Sequence, residues 1–125
     1  MDTSVMFSAE VLEHFQHPRN VGELPGATAS VQVSNPVCGD LLRLAAIMER
    51  ETIREVRFLC RGCTAAIACA SLLTEMIRGR ELSALKAISA ESLAVAIGGL
   101  EPATVHAAQL ASDGLKALVT ALEEK

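Results

Sequence analysis

The chain has 125 residues, half of them apolar, and a net charge of −4. That length suits one domain, residues 1–125, with a core that needs no disulfide staples, and the composition is too apolar for intrinsic disorder over most of it. With three Phe, no Trp, no Tyr and a net negative charge, the chain offers neither aromatic platforms nor dense basic patches, so nucleic acid is not an expected partner.

Residues 1–10 lack both the basic start and the apolar run of a secretory signal. The longest nearly apolar stretch, Ala65 to Leu73, is far too short to span a bilayer. The expectation is a soluble cytoplasmic protein with no membrane partner. Four cysteines in that compartment read as metal-binding, reactive or buried thiols before they read as disulfides.

Ser8 to Gln16 carries Val11, Leu12 and Phe15 on one stripe, which predicts a helix capped by Ser8. His17-Pro18 ends it, because the residue before a proline avoids helical geometry. Ala29, Val31 and Val33 alternate with Ser30, Gln32 and Ser34, the period of a strand. Leu41 to Met48 and Thr52 to Leu59 are two further strands. The second of these has one slip in its alternation, and the short polar Glu49-Arg50-Glu51 between them predicts a hairpin. The hairpin turn lies at one end, and Cys38 and Cys63 flank the other.

Thr64 to Arg78 reads as a helix, with Ile67, Leu72 and Ile77 widely spaced among alanines and Gly79 after it. Ser83 is placed to cap a short helix through Ile88. Ser89 or Ala90 opens another to Ile97. Pro102 precedes the last helix, Thr104 or Val105 to Leu122, with Val105, Leu110, Leu115, Leu118 and Val119 as its buried face. The predicted class is α+β: a small three-stranded antiparallel sheet with helices packed on one face and ligand loops at one end.

Three pieces carry possible metal chemistry: Cys38-Gly39-Asp40, Cys60-Arg61-Gly62-Cys63 and His106. Thiolate, carboxylate and imidazole are the donors that zinc and iron take. Each has a plainer reading. Cys38-Gly39-Asp40 is also good turn sequence, and a histidine near a helix start is usually a surface group. Spacing alone favours His106 no more than His14 or His17, which read as helix-end residues. Cys60 and Cys63 form a C-x-x-C without the second pair of a zinc ribbon and without the parallel sheet of a thioredoxin-like fold. Cys63 at a helix start would feel the helix dipole, which favours thiolate. Cys69, among alanines, reads as a buried thiol.

Taken together, several segments resemble the iron–sulfur cluster assembly scaffolds of the NifU N-terminal/IscU-like family. They are Glu13-His14-Phe15-Gln16-His17-Pro18-Arg19-Asn20-Val21-Gly22, Cys38-Gly39-Asp40, and Gly62-Cys63 leading into Ala65 to Glu75. The similarity runs from about Phe7 to Leu122. It implies a protein that is not an enzyme, that receives sulfur from a cysteine desulfurase, and that builds a [2Fe–2S] cluster for apo iron–sulfur proteins. It also implies a ligand set: Cys38 as first cysteine, Asp40 as the aspartate, Cys63 as second cysteine and His106 as the histidine. These four suit iron, a [2Fe–2S] cluster or zinc. Self-association is expected to be absent or weak, as a monomer or weak homo-oligomer.

Two departures accompany the resemblance. The family's third cysteine falls on Ala107, whose methyl cannot bind iron or carry a persulfide. The chaperone-binding L-P-P-V-K segment of the IscU branch reads Leu100-Glu101-Pro102-Ala103-Thr104-Val105 here. The resemblance is to the N-terminal domain of NifU and does not extend to the ferredoxin-like and C-terminal domains of the full-length protein. The missing cysteine leaves open a diverged zinc-binding regulator or sulfur-transfer partner of a cysteine desulfurase that builds no cluster. It also leaves open Cys60 as a substitute thiol, and a redox role for Cys60 and Cys63.

Overall fold

The computed structural model describes residues 7–36 and 39–125, apart from the side chain of Ala103. Cys38 is therefore outside the described residues. Helix α1 spans Ala9–Gln16. Three strands follow, β1 (Ala29–Ser34), β2 (Leu41–Glu49) and β3 (Thr52–Arg61). Then come α2 (Thr64–Ile77), the short α3 (Leu82–Leu85), α4 (Ala90–Ala96), a 3₁₀ turn at Pro102–Thr104 and α5 (His106–Glu123). The sheet is an antiparallel meander in the order β1-β2-β3. This is the α+β architecture that the alternating strands and helical stripes predict.

The strands fix which side chains face the helices. Val31 opposes Leu44 and Val33 opposes Leu42; Leu42, Leu44 and Ala46 in turn oppose Cys60, Phe58 and Val56. This inner face is largely buried under α5, which lies on β1 and β2, and α2, which lies on β3. The outer face carries Ser30, Gln32 and Ser34 with Arg43, Arg57 and Arg61. The slip in β3's alternation is a bulge: Ile47 opposes Glu55 but Met48 opposes Ile53, leaving Arg54 as the extra residue. The hairpin turns on Arg50 and Glu51, both at positive φ (54° and 65°), the geometry that matches the twist of the strands.

Helix α2 is the central helix. Its buried residues are Ala65, Ala66, Ala68, Cys69, Ala70, Ser71, Leu73, Thr74 and Ile77. The small side chains carry its packing, whereas Ile67 and Leu72, expected in the buried stripe, are only half-buried. Helix α5 approaches the sheet closely at Gly114, where an added Cβ would lie 2.9 Å from Leu42 Cδ2 and 3.1 Å from Leu44 Cδ1. A mid-helix glycine costs about 0.5–1 kcal/mol relative to alanine, and here it permits that approach.

Local signals fix several ends. Ser8 accepts from Val11 N–H at 3.0 Å, capping α1, and its hydroxyl also donates to the carbonyl of Ile97 at the end of α4. Ser89 and Ser92 form a reciprocal cap at α4. Two expectations are corrected. Glu81, not Ser83, precedes α3, because Leu82 is buried and its N–H bonds to Glu51 O at 2.7 Å. Val105 is 54% exposed, because the 3₁₀ turn delays α5 until His106 and turns Val105 outward.

The Pro18-Arg19-Asn20-Val21-Gly22 segment is structural. Phe58 N–H donates to Asn20 O (2.8 Å) and Gly22 N–H to Phe58 O (2.9 Å), so the segment lies along β3. His14, read from sequence as a helix-end residue, is buried. Its Nδ1 meets Ser71 Oγ at 2.8 Å and its Nε2 lies 3.4 Å from Glu75. Ser71 Oγ also accepts from Arg19 N–H at 2.9 Å, so one hydroxyl links the imidazole to the segment of residues 18–22.

Burial first, and the nearby Arg19 guanidinium second, hold His14 below its ordinary value of 6.5, with Glu75 and Glu13 opposing. The folded state therefore binds a proton here less readily than the unfolded chain. Its stability contribution is whole above about pH 6.5 and is lost as pH falls through the lower folded value. Urea midpoints of the metal-free protein fall with acidification from pH 7 to 5, and the slope is shallower in His14→Gln. Equal slopes would remove His14 as the cause.

Candidate metal centre

Asp40, Cys63 and His106 reach one point from three elements. Asp40 immediately precedes β2, Cys63 is the N-cap of α2, and His106 is the first residue of α5. The loop from β1 to β2 closes on itself: Asn35 N–H donates to Asp40 O at 2.8 Å and Gly39 N–H to Asn35 O at 2.7 Å. Gly39 has φ +75°, which suits glycine. The end of the hairpin then sets Asp40 beside Gly62. A Cβ on Gly62 would sit 2.8 Å from Asp40 Cγ and 3.0 Å from Oδ1. Glycine at 62 is thus what allows the carboxylate its place.

The donor atoms of the three residues all lie within 4.8 Å of one another. Cys63 Sγ is 3.9 Å from His106 Nε2, which is 3.9 Å from Asp40 Oδ2. Donors around a tetrahedral zinc are separated by roughly 3.3–3.8 Å, given metal–ligand bonds of about 2.0–2.3 Å, so small side-chain movements close the set. Asp40 is 6% exposed, and its buried Oδ2 has no hydrogen-bond partner among the described residues. A buried carboxylate oxygen without a donor is costly unless a cation faces it. Cargo of that kind fits the three donors; the fourth expected donor, Cys38, falls outside the described residues.

The expected thiolate character of Cys63 needs correction. Burial pushes its thiol up, and the Asp40 carboxylate pushes the same way. The N–H groups of Ala66 and Ala65 at the start of α2 pull down without prevailing. A divalent cation bound between the donors would reverse that balance by stabilising the thiolate directly.

Cys60 lies on the inner face of β3, opposite Leu42 and two residues from Gly62. This settles the pleat phase that sequence left open. It is half-buried, and burial, with lesser contributions from Asp40 and Cys63, pushes its thiol up to about 12. It does not join the group formed by Asp40, Cys63 and His106. Cys69 is fully buried, as expected of a core thiol. The three described cysteines are free. Ala107 is 0% exposed and part of the core, rather than at an open mouth as its place beside His106 suggests.

A cavity of about 480 Å³ opens beside His106, between Ala90, Glu91 and Ala94 of α4 and Val105 and Gln109. A larger hollow of about 680 Å³ lies by the hairpin turn, away from the donors. Its arginines are paired: Arg19 with Glu13, Arg54 with Glu49 and Arg78 with Glu55. Sequence reasoning missed the role of Gly62, since a close approach between two loops leaves no periodic signal. Gly62→Ala displaces Asp40 and weakens zinc binding by about tenfold, or about 1.4 kcal/mol, while α2 persists by circular dichroism. Unchanged affinity would show that Asp40 contributes nothing to binding.

A meander sheet backed by helices, with carboxylate, thiol and imidazole converging at one end, defines a small α+β protein with a candidate mixed-donor metal centre. The family described as "NifU-like N terminal domain" matches residues 6–125, and the chain belongs to it. It is 40% identical over 111 residues to the "Iron-sulfur cluster assembly scaffold protein IscU 1" of Archaeoglobus fulgidus, covering 89% of this chain and 72% of that protein. It is 34% identical over 123 residues to the IscU scaffold protein of Escherichia coli, covering 95% of each. A crystal structure of a NifU-like protein (N-terminal) from Brucella abortus shares the fold at a TM-score of 0.80 and 16% identity, over 98% of this chain and 97% of that one.

Proposed function

We propose that the protein is an iron–sulfur cluster assembly scaffold and not itself an enzyme. Cys38, Asp40, Cys63 and His106 are its donors for iron or a [2Fe–2S] cluster, and zinc can occupy them. The observation that carries this reading is the buried, unpartnered Asp40 Oδ2 facing Cys63 and His106. Relatives named as scaffold proteins, aligned over most of the chain, support it over a zinc-binding regulator.

A mixed donor set has a use in such a protein. Thiolate holds iron more firmly than carboxylate or imidazole, so a cluster with oxygen and nitrogen ligands is easier to release. Asp40, Cys63 and His106 sit on three different elements, so binding also ties the β1–β2 loop, α2 and α5 together. A cysteine desulfurase would supply the sulfur and apo iron–sulfur proteins would take the product. Among the described residues no helix is long and apolar enough to cross a membrane, and the free thiols suit the reducing cytoplasm.

Anaerobic reconstitution with ferrous iron and sulfide tests the reading. The expected result is a chromophore with the Mössbauer signature of a [2Fe–2S] cluster, passed on to an apo-ferredoxin. Tight zinc binding with no cluster under any iron-to-sulfide ratio would overturn it in favour of the regulator.

A further inference from the structure

The two edges of the sheet differ. The β3 edge is closed by neighbouring backbone: Asn20 and Gly22 pair with Phe58, and Ile53 pairs with Gly79 and Arg80 at 2.7 and 2.8 Å. Leu82 N–H adds a bond to Glu51 O at 2.7 Å. On the β1 side, by contrast, no backbone group among the described residues bonds to the outer edge of Ala29–Ser34.

Exposed edges are usually blunted by lysine, proline or a bulge. β1 has none of these: its sequence is Ala-Ser-Val-Gln-Val-Ser and its pairing with β2 runs without a register shift. No charged residue occurs between Glu23 and Asp40. In a chain with a net charge of −4, this is a surface that another copy can approach without like charges meeting on the strand.

We infer that β1 pairs antiparallel with β1 of a second copy of this chain, joining the two sheets into one of six strands. The strand's own pattern is self-complementary. With Gln32 opposite Gln32, Val31 of one copy meets Val33 of the other on the helix-covered face, and Ser30 meets Ser34 on the outer face. Shifting by two residues keeps the same match of faces. A contact of one six-residue strand per copy is small beside the roughly 1,200–2,000 Å² of stable complexes, so the association is weak and concentration-dependent.

The pairing is compatible with the metal centre. The Asn35–Asp40 loop follows the end of β1, and antiparallel pairing sets it beside the start of the other copy's strand. The two centres stay apart, and metal content per chain is the same in monomer and dimer. The inference therefore stands or falls separately from the scaffold reading.

Sedimentation velocity over a wide concentration range tests it, using the parent, the double variants S30K/Q32K and S30E/Q32E, and their equimolar mixture. Ser30 and Gln32 are exposed, so these variants keep the core intact. With Gln32 opposite Gln32, or with Ser30 opposite Gln32, the double variants set like charges opposite one another across the strands. Each variant alone shifts the monomer–dimer midpoint upward by about tenfold, and mixing basic with acidic chains restores or strengthens pairing. A parent that is monomeric throughout overturns the inference. So do variants that associate like the parent, or a mixture that fails to recover.

Discussion

Cys63→Ser lowers zinc affinity by more than the roughly 10–100-fold that follows from losing a mere hydrogen-bond partner of a ligand. Cys63 is the thiol of the described group, and serine replaces it with an oxygen that stays protonated at neutral pH. The loss is also visible as stability. At zinc one-hundredfold above its dissociation constant, the parent gains about 2.7 kcal/mol, or roughly 10 °C in Tm for a chain of this size. Cys63→Ser forfeits that increment.

Asp40→Asn separates ligand loss from misfolding, because its two effects have opposite signs. It removes a buried carboxylate whose Oδ2 has no hydrogen-bond partner among the described residues, so the apo Tm rises while zinc affinity falls. Titration calorimetry and thermal melts with and without chelator read both. A Cys63→Ser protein that binds zinc as tightly as the parent shows that the centre lies elsewhere.

Ala107→Cys increases the lifetime of a reconstituted cluster by about tenfold, an increment of about 1.4 kcal/mol. The physical basis is that thiolate suits iron better than carboxylate or imidazole, and a third thiolate next to His106 restores the cysteine count of the family pattern. Ala107 is fully buried, so the added sulfur must fit among packed side chains, and the variant's Tm reports any strain it introduces. Parent and variant are reconstituted side by side, and the visible bands are followed during decay and during transfer to apo-ferredoxin. Equal decay with unchanged Tm means that position 107 contributes no ligand.

Much of this arrangement was legible in the sequence, for reasons that differ from element to element. β1 runs from Ala29 to Ser34 as its alternation predicts, because a half-buried strand imposes period two directly. The hairpin predicts Cys63 at the end where Asp40 lies, and the structure places Asp40 beside Gly62 there. The face of Cys60 was not legible, since the bulge at Arg54 breaks the phase through which one would count. Val105 was misassigned because a 3₁₀ turn rotates it off the apolar stripe. In α2 the alanines and serine pack beside Leu73 and Ile77 while Ile67 and Leu72 stand half-exposed, a pattern that hydropathy alone does not rank and that the surrounding elements decide.

The spread of the donors along the chain has a consequence during synthesis. Cys63 and His106 are 43 residues apart. At roughly 5–20 residues per second, a ribosome takes about 2–9 s to add that length. Asp40 and Cys63 therefore leave the ribosome seconds before the histidine that completes the group. Through that interval the nascent hairpin carries a thiol and a carboxylate with α5 not yet made. Metal bound then, with Asp40, Cys63 and His106 as the proposed ligands, would be held by fewer protein groups and would exchange easily. On the proposed scaffold reading, the last helix is the step that would commit the chain to retaining its cargo.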